Sequence, residues 1–365
     1  LTKVELPDSV VTISYCAFAK CTSLESFTYP MSWNWGGGVT FQGDVKLTRI
    51  EVPEGVTVLA EKAFQSCGEL KEVQLPSTLR KINRYTFDGC TGLTGLELPE
   101  GLKTIEEYGL RSCTGLTSLK LPDGVTMLGY QSLHNCQNLE RINYPSALSE
   151  CGGNVFGGDK KLTSIEVPEG VTKVALKAFQ SCGNFKEIRL PSTLSVIDRY
   201  AFDGCTGLTE LELPEGLKRI EEYGLRSCTG LTSLKLPDSV TALGYQSVAN
   251  CTRLKSISYP KNLTRVDGEI FENDINLKRV VVPEGVENLP EKTFKNCNKL
   301  RYIELPSTLK VIGANAFEGC KGLPSIIIPP NVNNIGNYAF YGCAGLITVT
   351  IPENIKSLNS GVFAN

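Results

Sequence analysis

The sequence predicts an α/β solenoid, in which each coil adds one strand to a parallel sheet and places a short helical turn on the opposite side. Three observations lead to this prediction: a 23-residue repeat runs through all 365 residues, proline occupies the seventh position of all 16 copies, and 12 of the 14 phenylalanines occupy the eighteenth. A single 23-residue coil cannot bury its own apolar side chains, whereas stacked coils share a continuous core. We therefore expect one solenoid of 16 coils over residues 1–365.

The first seven positions of each copy predict the strand. The consensus is LxxIxLPxxLxxIxxxAFxxCxx, with apolar residues at positions one, four and six and mostly polar residues at three and five. This alternation places the apolar side chains on one face of a strand. Proline lacks the N–H that a sheet needs, so each strand should end at the seventh position. We expect the sheet to form the concave side of a curved stack.

The return half of each copy predicts the short helical turn. Ala, Phe and Cys at positions 17, 18 and 21 are spaced as neighbours on one face of a single helical turn. Twelve of the 14 cysteines occupy position 21, and Cys16 and Cys151 stand apart. Stacked equivalents point their Cβ atoms in parallel, which disfavours disulfides. We interpret these residues as small, buried, free thiols.

A second period of 115 residues, or five coils, indicates an internal duplication. Residues 47–138 and 162–253 are identical at 72 of 92 positions. The predicted super-repeats are 47–161 and 162–276, with partial copies at 1–46 and 277–365. Every fifth coil is atypical, because it carries Tyr at position 6 and Asp in place of the ladder Cys. These residues are Tyr29, Tyr144 and Tyr259, and Asp44, Asp159 and Asp274.

Composition excludes several function classes. The chain has 37 basic and 39 acidic residues, so no basic excess predicts nucleic-acid binding. No apolar run reaches the ~20 residues that a membrane-spanning helix requires, and we expect no membrane insertion. With His134 as the only histidine, and with no phosphate-binding glycine motif, the sequence predicts no catalytic residues, no metal site, no cofactor and no enzymatic activity.

The outward strand positions form the main candidate binding surface. A predicted sheet face with charges of both signs suits an extended protein partner; the alternative is that these residues only keep the sheet soluble. The candidate residues are Arg49, Glu51, Glu72, Glu97, Lys120, Arg141, Glu187, Arg189, Glu210, Glu212 and Lys235.

Two tryptophans lie in the first atypical coil. Trp33 occupies an always-apolar position and is predicted to be in the core. Trp35 occupies a normally exposed position beside Gly36-Gly37-Gly38, a run that we interpret as mobile. Trp35 could therefore stack on a sugar ring or an aromatic partner, or instead pack over the loop.

The repeat resembles the BspA-like leucine-rich repeat family, whose 23-residue copies occur in surface proteins of bacteria and protists. The resemblance covers the whole chain, and Pro306, Ala316, Phe317 and Cys320 show its motif in one copy. It implies a right-handed leucine-rich-repeat superhelix, or horseshoe, in a secreted or cell-surface protein, of which we expect this chain to be a segment.

The same resemblance implies an adhesin-like, non-enzymatic module that binds a host matrix or cell-surface protein. Two alternatives remain open. The chain could be a structural stalk that holds another domain away from the cell, or it could bind a glycan through exposed aromatic residues.

Overall fold

The computed structural model describes residues 1–44 and 46–365 and has the fold that the repeat predicts. It is a parallel β-solenoid of about 15 turns, in which strand partners lie 23 residues apart, as Arg49 and Glu72 do. The chain divides into two compact units. The first comprises Leu1–Pro168 and Ala175–Phe185, and the second comprises Glu169–Val174 and Lys186–Asn365.

The predicted strands at positions three to five form what we call row A. Each is two or three residues long, and its outward residues are exposed while the residue between them is buried or nearly so. In the first unit, row A comprises Lys3–Val4, Ser26–Phe27, Arg49–Glu51, Glu72–Gln74, Gly95–Leu96, Ser118–Leu119, Arg141–Ile142 and Ser164–Glu166. In the second unit, it comprises Glu187–Arg189, Ser233–Lys235, Ser256–Ser258, Arg279–Val281, Tyr302–Glu304, Ser325–Ile327 and Thr348–Thr350. In the described chain, the coil that begins at Leu208 has no row A strand.

A second set of short strands, row B, follows the turn after the proline in all described coils except those that begin at Leu47 and Leu346. The consensus does not predict it, because two residues are too few to show an alternating pattern. In the first unit, row B comprises Thr12–Ile13, Trp35–Gly36, Lys81–Ile82, Thr104–Ile105, Met127–Leu128 and Glu150–Cys151. In the second unit, it comprises Lys173–Val174, Val196–Ile197, Arg219–Ile220, Ala242–Leu243, Arg265–Val266, Asn288–Leu289, Val311–Ile312 and Asn334–Ile335.

The predicted short helical turns are wrong. The described residues contain tight turns in their place, closed by bonds such as those from the Ala63 N–H to the Ala60 carbonyl and from the Cys67 N–H to the Phe64 carbonyl. Lys62 and Ser66 have left-handed φ values of 58° and 61°. A right-handed helix cannot continue through such residues. The bend of this coil therefore consists of separate turns, and Phe64 points inward between them.

The phenylalanine ladder is confirmed. Phe294 is fully buried, and its ring stacks on Phe271 and on Phe317 with centroid distances of 5.5 Å on each side. In the first unit, Phe64 and Phe87 stack at 5.4 Å. These rings and the first-position leucines form a core that continues from coil to coil within each unit.

The interpretation of the ladder cysteines as buried thiols is also supported. All 14 cysteines are free, and all except Cys16 and Cys21 are buried. The thiol of Cys90 donates a hydrogen bond to the Phe64 carbonyl of the preceding coil at 3.0 Å, and Cys320 does the same to Phe294 at 3.2 Å. Burial raises the pKa of the Cys90 and Cys320 thiols, and it raises the pKa of the Cys182 thiol to about 12. A protonated, solvent-excluded thiol is a poor nucleophile and acts here as a small core residue.

The three atypical coils bury both of their unusual side chains. The Asp44, Asp159 and Asp274 carboxylates each accept the main-chain N–H of a cysteine one coil earlier, at 2.6, 2.6 and 2.7 Å. The second oxygen of each carboxylate is buried without a partner in the described chain. Aspartate therefore fills the space of a cysteine but leaves an uncompensated polar atom in the core.

The tyrosines of these coils differ in whether their hydroxyls form a hydrogen bond. The Tyr29 hydroxyl accepts the Ala60 N–H at 3.0 Å, and the Tyr144 hydroxyl accepts the Ala175 N–H at 3.0 Å. In the second unit, the Tyr259 hydroxyl is buried and has no partner among the described residues. A hydrogen-bond partner is thus present for the first two tyrosine hydroxyls and missing for the third among the described residues.

This difference predicts that one substitution has different effects on stability at two equivalent sites. Tyr29→Phe should lower the free energy of unfolding by about 1–3 kcal/mol, because it leaves the buried Ala60 N–H without an acceptor. Tyr259→Phe should be neutral or slightly stabilising, because it removes a hydroxyl that has no partner. Denaturant unfolding of the two variants beside the unmodified chain measures this. Equal losses in both variants would contradict the assigned role of the hydroxyl bond.

Candidate functional site

The candidate residues of the first unit lie along row A with their side chains in solvent. Arg49 contacts Glu72 at 3.1 Å between Nη1 and Oε1 and donates to the Gln74 Oε1 at 3.1 Å. The parallel register causes these contacts, because it aligns Arg49 with Glu72 and Glu51 with Gln74. The structure therefore brings Arg49, Glu51 and Glu72 together on two adjacent strands.

The other candidates of this unit are more separate. Glu97 is exposed just after the Gly95–Leu96 strand, and Arg141 is exposed at the start of its own strand. Lys120 lies 3.6 Å from Glu100, with both side chains about four-fifths exposed. Such an exposed ion pair contributes little to stability, about 0–1 kcal/mol. These side chains can reorient towards a partner at small cost.

In the second unit, the candidates form a more compact group. Glu187 and Arg189 pair across one strand at 2.8 Å, and Lys235 pairs with Glu215 at 2.8 Å. The Glu215 carboxylate raises the pKa of Lys235 by hydrogen bonding to its ammonium group. Glu210 and Glu212 are exposed in the coil without a row A strand and form no ion pair within the described residues.

Two surface depressions flank Glu210 and Glu212. One is shared with Glu187 and Arg189, and the other is shared with Ser233 and Lys235. Neither carboxylate forms an ion pair among the described residues, and Arg189 and Lys235 line the same two depressions, so this surface offers charges of both signs to a partner. This part of row A has the strongest features of a binding site among the predicted residues.

Glu100 and Glu215, which hold the two candidate lysines, are not among the predicted residues. A signal for them exists in the sequence, since each acid precedes its lysine by 20 residues and the two pairs are 115 residues apart. Each acid directly follows the proline and so lies beyond the residues that the alternating pattern covers. Only the coil-to-coil stacking brings such an acid beside the lysine of the next coil.

Trp33 and Trp35 lie as predicted, one buried and one exposed. Trp33 is 1% exposed, and its Nε1–H donates to the Trp35 carbonyl at 2.8 Å. Trp35 is 41% exposed on the Trp35–Gly36 strand, which pairs with Thr12–Ile13. The backbone of Trp35 is therefore held in place while its indole ring is accessible.

The interpretation of the adjacent glycines as a mobile run is wrong. The Gly36 N–H donates to the Glu61 carbonyl, and the Gly37 N–H donates to the Ile13 carbonyl, both at 2.7 Å. A Cβ on Gly37 would lie 1.9 Å from the main-chain nitrogen of Tyr15, so this position needs glycine for close approach. The run is a contact between coils.

Comparison with known protein families identifies the repeat. The profile of the BspA type leucine rich repeat region matches residues 1–91, 57–185, 173–301 and 287–365, which together cover the chain. The chain belongs to the BspA-type leucine-rich repeat family. A BspA-type fold is typical of proteins that bind other proteins at cell surfaces.

Solved structures agree with this membership. A leucine-rich repeat protein from Bacteroides ovatus is 29% identical, with a TM-score of 0.63 over 95% of this chain and 78% of the other. A leucine-rich repeat protein from Eubacterium ventriosum is 22% identical, with a TM-score of 0.52 over 87% of each chain, and shows the same fold. No curated protein matches the sequence.

Two further properties concern the described part of this BspA-type chain. No helix in residues 1–44 and 46–365 has the length and apolar character that crossing a bilayer requires. In the same residues, no three His, Cys, Asp or Glu side chains lie close enough together to hold a metal ion.

Proposed function

We propose that this BspA-type chain is a non-enzymatic, adhesin-like binding module of a cell-surface or secreted protein. It recognises a host or microbial protein through the row A face, which the sequence predicts to be concave. The observation that carries the proposal is the pair of unpaired carboxylates, Glu210 and Glu212, between two surface depressions in the second unit. The family and its fold support protein binding as the class of function.

Charge reversal on this face tests the proposal. The variant E187K/R189E/E210K/E212K should weaken binding to a matrix or cell-surface protein by at least ~30-fold, because opposed charges at an interface become like charges. The intact chain is first screened by pull-down against immobilised matrix proteins. The affinity of each variant for the protein found is then measured by surface plasmon resonance.

The control is E287K/K310E, which reverses two charges outside row A by exchanging the partners of an ion pair that measures 2.8 Å and leaves the net charge unchanged. It should bind the partner as the unmodified chain does. Affinity that does not change in the row A variant would place the site elsewhere on the chain. Thermal unfolding of both variants establishes that the fold is retained.

Glycan binding is the second candidate function, and exposed Trp35 on a fixed backbone favours it. A glycan-array signal of the intact chain that disappears in Trp35→Ala but persists in the row A variant would support this alternative. No binding in either the pull-down or the glycan array would favour the structural stalk, whose role depends on its length and requires no ligand.

A further inference from the structure

Three basic side chains form a row where the row A strands of the second unit begin. Lys255, Lys278 and Arg301 occupy the same position of successive coils and are exposed. The Lys278 N–H donates to the Lys255 carbonyl at 3.1 Å, and the Arg301 N–H donates to the Lys278 carbonyl at 2.9 Å. Adjacent strands lie ~4.8 Å apart, so three like charges are held on consecutive rungs.

No acidic side chain in the described residues forms an ion pair with these three bases or with Arg279, which follows Lys278. The equivalent position of the other two atypical coils is different. Glu25 pairs with Lys46 at 2.9 Å, and Glu140 pairs with Lys161 at 3.1 Å.

In the third atypical coil, both members of this internal pair have changed. Lys255 replaces the glutamate, and Asn276 stands where the other two coils have lysine. The row has therefore lost the internal acid that equivalent coils possess and has gained a positive charge. An acid from outside the chain would neutralise it.

Exposed apolar side chains lie on the adjoining strands. Val281 is 40% exposed, Tyr302 44% and Ile327 74%. The register aligns Arg279 with Tyr302, and the Arg279 guanidinium lies 4.3 Å from the centre of the Tyr302 ring. The Tyr302 hydroxyl donates to the carboxylate of Glu304 on its own strand at 3.1 Å. The Arg279–Tyr302 contact joins the bases to the exposed apolar side chains, and Glu304 lies on the strand between Val281 and Ile327.

We propose that this surface binds an extended segment of a partner protein that carries acidic residues and at least one apolar anchor. We call it the basic–apolar patch, and it comprises Lys255, Lys278, Arg279, Val281, Arg301, Tyr302 and Ile327. The inference rests on the proposed function, since it names the chemistry of one part of the row A face. The bases pair with the acidic residues, and the apolar anchor packs on Ile327, the most exposed apolar side chain of the patch.

The apolar residues decide between two anionic ligands. A sulphated polysaccharide would satisfy the bases but would leave Ile327 in contact with polar groups or water. A peptide side chain buries it. The patch spans about three strand intervals, or ~14 Å, which four to five extended residues cover at ~3.3 Å each.

A peptide library displayed on phage tests the patch even when the partner protein is unidentified. Random 12-residue peptides are selected on the intact chain, and the most enriched sequence is synthesised and titrated by fluorescence anisotropy. We expect enriched sequences that combine Asp or Glu with Leu, Ile, Val or Phe. Binding should weaken by at least ~30-fold in K278E/R279E/R301E and by about tenfold in Ile327→Ser.

The matched control, K218E/K321E/K356E, removes three exposed bases outside row A and changes the net charge equally. It should bind the peptide within about twofold of the unmodified chain. K278S/R301S replaces the triple variant if that variant does not fold, and the same loss of binding is expected.

Three results would overturn the inference. The first is that the library yields no sequence that combines acidic and apolar residues. The second is that the peptide binds the patch variants as tightly as the unmodified chain, and the third is that heparin binds the patch while Ile327→Ser does not change peptide binding. The proposed function fails separately. If E187K/R189E/E210K/E212K abolishes binding of the matrix partner but the patch variants do not alter any binding, the inference alone is wrong. If all row A variants bind that partner normally, the proposed function is wrong.

Discussion

Phe294→Ala is expected to lower the free energy of unfolding by about 3–5 kcal/mol, because it removes a buried aromatic ring and leaves a cavity between two coils. Phe294 is fully buried and stacks at 5.5 Å on both Phe271 and Phe317. In a solenoid, each coil is stabilised mainly by its neighbours, so one cavity weakens two interfaces between coils. Denaturant unfolding followed by circular dichroism measures the loss.

Tyr341→Ala is the control, since it also removes an aromatic ring from the second unit but at a side chain that is 42% exposed. Its expected loss is below ~1 kcal/mol. A loss in Phe294→Ala as small as that of the control would mean that the ladder is not the main source of coil stacking. The core would then depend chiefly on the leucines of the first position.

Asp159→Asn should stabilise the chain at neutral and alkaline pH and have little effect in acid. Asp159 is fully buried, and burial raises the pKa of its carboxyl to about 8. The folded chain therefore holds this proton more tightly than the unfolded chain, whose carboxyl has a pKa near ~3.9. The stability contributed by this group is fully present below that lower pKa and is lost as the pH rises towards 8.

The magnitude follows from the two pKa values. At pH 7 the unfolded chain ionises this carboxyl freely, whereas the buried site disfavours its ionisation. The free energy of unfolding is therefore up to ~4 kcal/mol lower at pH 7 than in acid. Asparagine keeps the oxygen that accepts the Cys136 N–H but does not ionise. We expect Asp159→Asn and the unmodified chain to unfold alike at pH 4, with a difference of about 2–4 kcal/mol by pH 8.

Chemical unfolding at intervals between pH 4 and pH 8 checks this expectation. The control is Asp123→Asn, which also removes one negative charge but at an exposed site. Parallel pH profiles for Asp159→Asn and the unmodified chain would contradict a raised pKa in the folded state. The same direction is expected at Asp44, where burial raises the carboxyl pKa to about 6, and at Asp274, where burial also raises it.

The repeat made most of the core predictable, because an apolar position that recurs every 23 residues must face the same interior each time. Phe294 and Trp33 are buried as expected. The tight turns were not predictable in the same way. The spacing of Ala, Phe and Cys suits one helical turn, but left-handed residues such as Lys62 and Ser66 are a property of the backbone that residue types such as Lys and Ser do not reveal.

For the candidate site, the sequence predicted exposure better than pairing. Arg49, Glu187 and Glu210 are exposed as expected. The partners of charged residues depend on which position of one coil meets which position of the next. Lys235 is therefore held by Glu215 from the preceding coil, and Arg189 by Glu187 on its own strand. Such contacts need side-chain geometry and cannot be derived from the consensus.

The sequence by itself determined the solenoid, its register and the side of each strand that faces the core. It could do so because stacking repeats one set of contacts every 23 residues, so every coil shows the same apolar positions. Only the tertiary structure decided which of the irregular residues have a hydrogen-bond or ion-pair partner. Tyr29 finds the Ala60 N–H, Tyr259 finds no partner among the described residues, and Lys255, Lys278 and Arg301 stack without an acid from that same part of the chain. Each of these outcomes depends on a few ångströms between coils at a position that departs from the repeat.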